Sequence, residues 1–181
     1  ERLARTGRAP QFGAGNDAVY VTRSSMQKEV DFASKLVRID LADRKETDVA
    51  TSEFVSQYAV SPDGRWLAFQ EREHAYVTPL PLASRPVAVG AKMDALPVRQ
   101  LDVDAGEYLS WSGDSSKLHF GLGDRLFTSE LRNAFTFVPG APRELPKRDE
   151  AGLRVGFAEP SDTPAGMIAI TGARIVTMKG D

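Results

Sequence analysis

The sequence predicts an all-β chain assembled from about three repeated four-stranded units, and three observations carry that prediction. Residues 60–69, Val-Ser-Pro-Asp-Gly-Arg-Trp-Leu-Ala-Phe, align with residues 111–120, Trp-Ser-Gly-Asp-Ser-Ser-Lys-Leu-His-Phe, at an offset of 51. Ser, Asp, Leu and Phe recur in the same places. A fainter third copy occupies residues 12–21, 48 positions before the middle one. No stretch longer than about one turn shows helical periodicity. Repeats of about 40–50 residues built from short strands are the signature of a β-propeller or a related array, so the chain is read in blades.

In the middle unit, residues 57–60 form a short strand that ends at the turn Ser61-Pro62-Asp63-Gly64. Pro62 presets φ near −65°, Asp63 can bond its own backbone, and Gly64 tolerates positive φ. Residues 65–70 make the next strand, with Trp66, Ala68 and Gln70 on one face and Leu67 and Phe69 on the other. Glu71-Arg72-Glu73 suits a hairpin tip. Residues 74–78 form the third strand, ended by Pro79-Leu80-Pro81 because proline cannot donate to a ladder. Residues 86–89 are assigned as the outer strand.

The last unit repeats the order, with strands at 108–111, 117–121 and 125–131, pairing Phe127 with Tyr76 and Leu131 with Leu80. In the first unit the third strand is 35–41. A nine-residue insertion around 26–33 falls at the hairpin before it and is assigned to a surface loop. Trp66 and Trp111 are expected in like surroundings in neighbouring blades. Three units are fewer than the roughly four to eight blades that close a propeller, so open edges and flanks are expected.

The bulk composition excludes several function classes. The chain has 181 residues, 41 % of them apolar, which suffices for a buried core. Its 23 basic and 25 acidic residues leave a net charge of −2. Nucleic acid and membrane insertion are therefore not expected, because the first calls for a clustered basic face and the second for a long apolar span. With no cysteine, no disulfide and no thiolate metal site is possible.

The middle copy, Tyr58-Ala59-Val60-Ser61-Pro62-Asp63-Gly64-Arg65-Trp66-Leu67-Ala68-Phe69, resembles the repeat of TolB-like propellers. Such repeats also precede prolyl-oligopeptidase-type serine peptidases and some amidohydrolases, and the likeness covers residues 8 to about 157. The last copy departs from it, with Gly113 at the turn proline and Ser115 at the turn glycine. Residues 164–181, Pro-Ala-Gly-Met-Ile-Ala-Ile-Thr-Gly-Ala-Arg-Ile-Val-Thr-Met-Lys-Gly-Asp, read as a linker entering an alternating strand. That strand resembles the first one of the small β-sandwich that opens metal-dependent amidohydrolases. The division that follows is blades over 1–158, a linker over 159–166, and the sandwich strand over 167–181.

The resemblance implies a parent hydrolase acting on carbon–nitrogen bonds other than peptide bonds. Its catalytic domain would use one or two divalent metals, zinc by the family's habit, to activate water. It also implies an exported, periplasmic setting. The chain itself is expected to be catalytically inert, with no catalytic, cofactor-binding or metal residue. Its partners would be the parent catalytic domain, other blades, or a second copy meeting it at open sheet edges. Two alternatives stand beside this: a TolB-like interaction scaffold of the cell envelope, and the propeller of a prolyl-oligopeptidase-type serine peptidase. The Gly-x-Ser-x-Gly elbow is absent from the sequence.

Several residues invite a sharper reading and are assigned the plainer one. His119 takes the slot held by Ala68 and is expected to pack or lie at a solvent edge; His74 is expected to be exposed and of little weight. Asp63 and Asp114 are assigned to turn stabilisation, since a metal needs several converging oxygens. Trp66, Trp111, Phe69 and Phe120 are assigned to packing between sheets. Glu71-Arg72-Glu73 and Lys147-Arg148-Asp149-Glu150 mix both signs as a solvated surface does.

Overall fold

Short β-rich segments joined by proline- and glycine-punctuated turns give thirteen strands in the computed structural model, which describes residues 6–27, 31–163, 165–167, 169, 171–172 and 174. The strands are β1 (Arg8–Phe12), β2 (Ala18–Gln27), β3 (Asp31–Asp40), β4 (Glu46–Ser52), β5 (Val55–Val60), β6 (Trp66–Glu71), β7 (His74–Pro79), β8 (Val87–Ala88), β9 (Arg99–Gln100), β10 (Glu107–Trp111), β11 (Lys117–Leu122), β12 (Arg125–Glu130) and β13 (Leu153–Arg154). They form three sheets, ordered β1-β2-β3-β4-β8, β5-β6-β7-β9 and β10-β11-β12-β13. Each is a four-stranded antiparallel blade; the first adds β8. The array is all-β among the described residues, apart from one 3₁₀ turn at Leu131–Asn133. The terminal strand assigned to 167–181 lies largely outside the described residues.

The threefold repeat is written into the backbone hydrogen bonds. The amides of Gly13, Ser61 and Ser112 donate to the carbonyls of Ala18, Trp66 and Lys117. Inside those turns Asn16, Gly64 and Ser115 donate back to Gly13, Ser61 and Ser112. All three adopt left-handed φ, +52°, +69° and +60°, so the position needs a residue that tolerates it, and only the middle copy uses glycine. A third set closes each unit, with Leu41, Leu80 and Leu131 donating to Asp17, Arg65 and Ser116. The offsets of 48 and 51 hold throughout the first two sets.

Packing follows the alternation read from the middle strand. Leu67 and Phe69 join Tyr20, Leu36, Tyr58 and Tyr76 in a core between the first and second sheets. Trp66 and Ala68 join Ala75, Val77, Leu118 and Phe120 in a core between the second and third. The middle sheet is thus covered on both faces, which explains why Trp66, Leu67, Ala68 and Phe69 are all buried. Each inter-sheet core is completed by the long connection from the third to the fourth strand of the later blade. Leu80, Val89 and Met93 enter the first core, and Ala134 and Phe135 the second, where Phe135 stacks on Trp66 at 5.5 Å.

Three expectations are corrected. The insertion around 26–33 is largely strand, because β2 and β3 lengthen as an antiparallel ladder that still pairs Met26 with Phe32 and Gln27 with Asp31. An antiparallel hairpin can add rungs without disturbing the register below. Residues 86–89 are not the outer strand of the middle blade. Val87 and Ala88 pair in parallel with Ala50 and Thr51 of the first sheet, while Arg99–Gln100 supplies the fourth strand of the second. Burying Val89 and Leu80 in the first core pulls this connection onto the neighbouring blade.

Pro79 ends its strand, as expected, one residue beyond the predicted 78. It pairs with Trp66, one step from the bonded Leu80–Arg65 pair, so alternation places it where no donor is needed. The tryptophans, finally, are not equivalent. Trp111 holds the slot of Val60 and donates Nε1–H to the Ala59 carbonyl at 3.0 Å, whereas Trp66 holds the slot of Lys117 and is buried against Phe135. The repeat is a property of the backbone and of the Leu and Phe slots rather than of the indoles.

Candidate functional site

The serine–aspartate turns are structural. In the middle copy Asp63 Oδ1 accepts from Ser61 Oγ at 2.5 Å and from the Arg65 amide at 3.0 Å. In the last copy Asp114 Oδ1 accepts from Ser112 Oγ at 2.6 Å and from the Ser116 amide at 3.0 Å. The Ser112 hydroxyl, then the Ser116 amide and hydroxyl, hold the Asp114 carboxyl down at about 2. The turns also touch between blades, since the Asp63 amide donates to Ser115 Oγ at 2.9 Å.

The innermost strands are clamped by glutamine amides. Gln11 donates to the Tyr58 carbonyl and accepts from the Val60 amide, at 2.8 and 2.7 Å. Gln57 does the same to Leu109, accepting from its amide and donating to its carbonyl, both at 3.1 Å. Each side chain substitutes for a missing strand neighbour, so consecutive blades are pinned at their inner edges.

A cleft of about 1020 Å³ opens between the first two sheets, lined by Thr22, Ser34, Thr51, Phe54, Glu71 and Val89 among others. Its cations are engaged: Arg23 makes a two-pronged pair with Glu46 at 2.6 and 2.7 Å, and Lys35 meets Asp48 at 2.9 Å. Deeper in, Ser34 Oγ donates to the Val55 carbonyl, and Tyr58 Oη lies 3.2 Å from it. Burial, with a smaller push from Glu71, raises the Tyr58 phenol to about 12, against a lowering by the Ser34 hydrogen bond. The Thr22 hydroxyl is buried without a hydrogen-bond partner among the described residues.

His74 corrects its expectation. It begins β7 opposite Glu71, and its Nδ1 lies 2.6 Å from Asp102 Oδ2. The Asp102 side chain is 1 % exposed and also accepts the Ala75 amide at 2.8 Å. A carboxylate can only accept, so this contact makes Nδ1 a protonated nitrogen. His74 therefore lines a cavity of about 570 Å³ together with Glu71, Tyr76 and Met93. The sequence signal is thin: Asp102 is 28 positions away, and nothing in the repeat marks it. His119 is half-buried on the outward face of the third sheet, its Nδ1 2.9 Å from Thr128 Oγ1.

The hydrogen bonds of the His74 ring are confined to two side chains among the described residues. Its hydrogen-bond partners among the described residues are Asp102 and Gln100, so no hydroxyl is placed for activation. Groups of three or more His, Cys, Asp or Glu that could hold a metal do not occur among the described residues.

The outward face of the third sheet is open among the described residues. The slots that on the second sheet hold Ala59, Trp66, Ala68, Ala75 and Val77, covered by the third, hold Ser110, Lys117, His119, Leu126 and Thr128 one blade on. Tyr108, at φ +57° in the bulge of β10, is 78 % exposed, and a Cβ on Gly121 would lie 3.7 Å from its ring. Leu153, Val155 and Phe157 are exposed along the outer edge.

No protein-family model matches the chain, and no curated protein matches it. Among solved structures it is similar to Porphyromonas gingivalis dipeptidyl peptidase 4, at 14% identity and TM-score 0.37, over 66% of this chain and 18% of that one. It is also similar to Pyrococcus horikoshii acylaminoacyl peptidase, at 18% identity and TM-score 0.40, over 63% of this chain and 17% of that one. The chain thus spans under a fifth of either protein.

Proposed function

We propose that this chain is the propeller part of a larger hydrolase, in which it docks the catalytic domain and restricts access to it, while the chemistry is done elsewhere. The observation that carries the reading is the outward face of the third sheet. In a stacked array each inner face is covered by the next sheet, and here that same set of slots is open, with Tyr108, Leu126 and Leu153 available for contact. The filled inter-sheet cores fit a supporting role.

Two parents are distinguished. A prolyl-oligopeptidase-type serine peptidase is one; the two structural neighbours carry peptidase names, and their TM-scores of 0.37 and 0.40 leave the choice to experiment. The amidohydrolase-like parent rests on the resemblance of residues 167–181, and it brings with it a divalent metal, zinc, in the catalytic domain and an exported location. The test is made on the full-length gene product. Labelling by a fluorophosphonate supports the peptidase. Hydrolysis of amide substrates abolished by a chelator and restored by zinc supports the amidohydrolase. Absence of both activities from the intact protein would reject the hydrolase reading in favour of an interaction scaffold.

A further inference from the structure

We infer that the rim between the second and third blades carries a binding site for a small oxyanion, a phosphate or a carboxylate. A recess of about 300 Å³ lies there, lined by Arg99 of β9, Ser129 of β12, Asn133 of the 3₁₀ turn, and Lys147 and Arg148 of the connection that follows. Three cations, one from β9 and two from the connection before β13, therefore converge on one small space. Two acids, Glu130 and Asp149, also line the recess, and the three cations outnumber them. Glu130 is engaged by Arg132 at 2.6 Å, and Asp149 Oδ1 accepts the amides of Ala151 and Gly152 at 2.9 and 3.2 Å.

The cations are comparatively free. Arg148 Nη1 donates to a neutral group, the Asp102 carbonyl, at 3.0 Å. The side chains of Arg99 and Lys147 have no hydrogen bond or ion pair among the described residues. Unpaired guanidinium and ammonium groups around a partly enclosed volume favour an anion with several acceptor oxygens, and Arg99 can meet two of them at once. Ser129 and Asn133 add neutral donors suited to the remaining oxygens. An anion seated there would join β9 of the second sheet to β12 of the third and to the connection packed over them. Binding should therefore raise stability, because the site exists only when the two blades are assembled. The inference needs neither parent assignment.

The experiment uses the intact chain. Its thermal midpoint and calorimetric titration are measured with inorganic phosphate and with succinate, each against sodium chloride at matched ionic strength. The midpoint should rise above the chloride control with at least one of the two. A rise with phosphate alone assigns a phosphoryl ligand; a rise with succinate alone or with both assigns a carboxylate or a general oxyanion site. The R99Q/K147Q variant should keep its midpoint in chloride and lose affinity by about tenfold or more for each cation removed. Lys92→Gln, which lies on the His74 cavity, should leave affinity unchanged. Equal midpoints in phosphate, succinate and chloride would overturn the inference, as would undiminished affinity in R99Q/K147Q or an equal loss in Lys92→Gln.

Discussion

Leu67 and Leu118 occupy the same slot on successive blades, yet each fills a different inter-sheet core. Leu67 is fully buried against the first sheet, and Leu118, 1 % exposed, is buried against the second. Truncation of a buried leucine to alanine removes its transfer energy and leaves a cavity, about 3 kcal/mol within a range of roughly 2–5. For a chain of this length each kcal/mol lowers the thermal midpoint by about 2–4 °C, so either single variant should melt about 6–12 °C below the parent. The middle sheet separates the two sites. In an array stabilised by nearest-neighbour interfaces, the double variant should lose the sum of the single losses within about 0.5 kcal/mol. Urea unfolding followed by far-ultraviolet circular dichroism, in sucrose to keep the double variant folded, measures all three. A coupling above about 1 kcal/mol would mean one continuous core and would refute the division into blades.

Three further outcomes are expected. Asp102→Asn should invert the His74 tautomer, because the amide would donate to Nδ1 where the carboxylate accepts from it; ¹⁵N imidazole shifts read this, and an unchanged tautomer would count against the Asp102 contact. The β6–β7 hairpin turns through Arg72 at φ +48° and Glu73 at φ +72°, so Glu73→Gly should stabilise the chain by about 0.5–1 kcal/mol, seen as a higher urea midpoint. The third concerns pH. Asp114 is depressed in the folded chain to about 2, so its contribution is present above the ordinary carboxyl range near 3.8 and is lost as pH falls through about 2. Tyr58 is raised to about 12, so its contribution is present below about 10 and is lost as pH climbs through 12. Ser112→Ala should move the Asp114 titration upward by NMR, since that hydroxyl is the largest cause of its depression.

The legibility of the chain varied with the range of the interaction. The Ser-x-Asp turns and the alternation of Trp66, Leu67, Ala68 and Phe69 are local, set by turn chemistry and by the two-residue period of a strand. Each is found where the residues indicate. The fate of residues 86–89 was not legible in this way, because a run of two paired residues carries no signal of which sheet it joins. The setting of His74 is hidden for the same reason. Its partner Asp102 comes from a connection whose path depends on where Leu101 and the β9 strand settle. The rim recess is likewise invisible in sequence, since Lys147-Arg148-Asp149-Glu150 reads as a solvated run until the capping role of Asp149 leaves its cationic neighbours unpaired.

The all-β class, the repeat length, the turn positions and the face of each central strand follow from the residues alone, because turn chemistry and strand alternation act over a few positions. Tertiary structure alone decided which sheet received each short outer strand, which buried carboxylate met His74, and which face of the third blade stayed open. Those outcomes depend on long connections competing to fill the gaps between sheets, and a hydrophobic side chain records that it must be buried without recording against what.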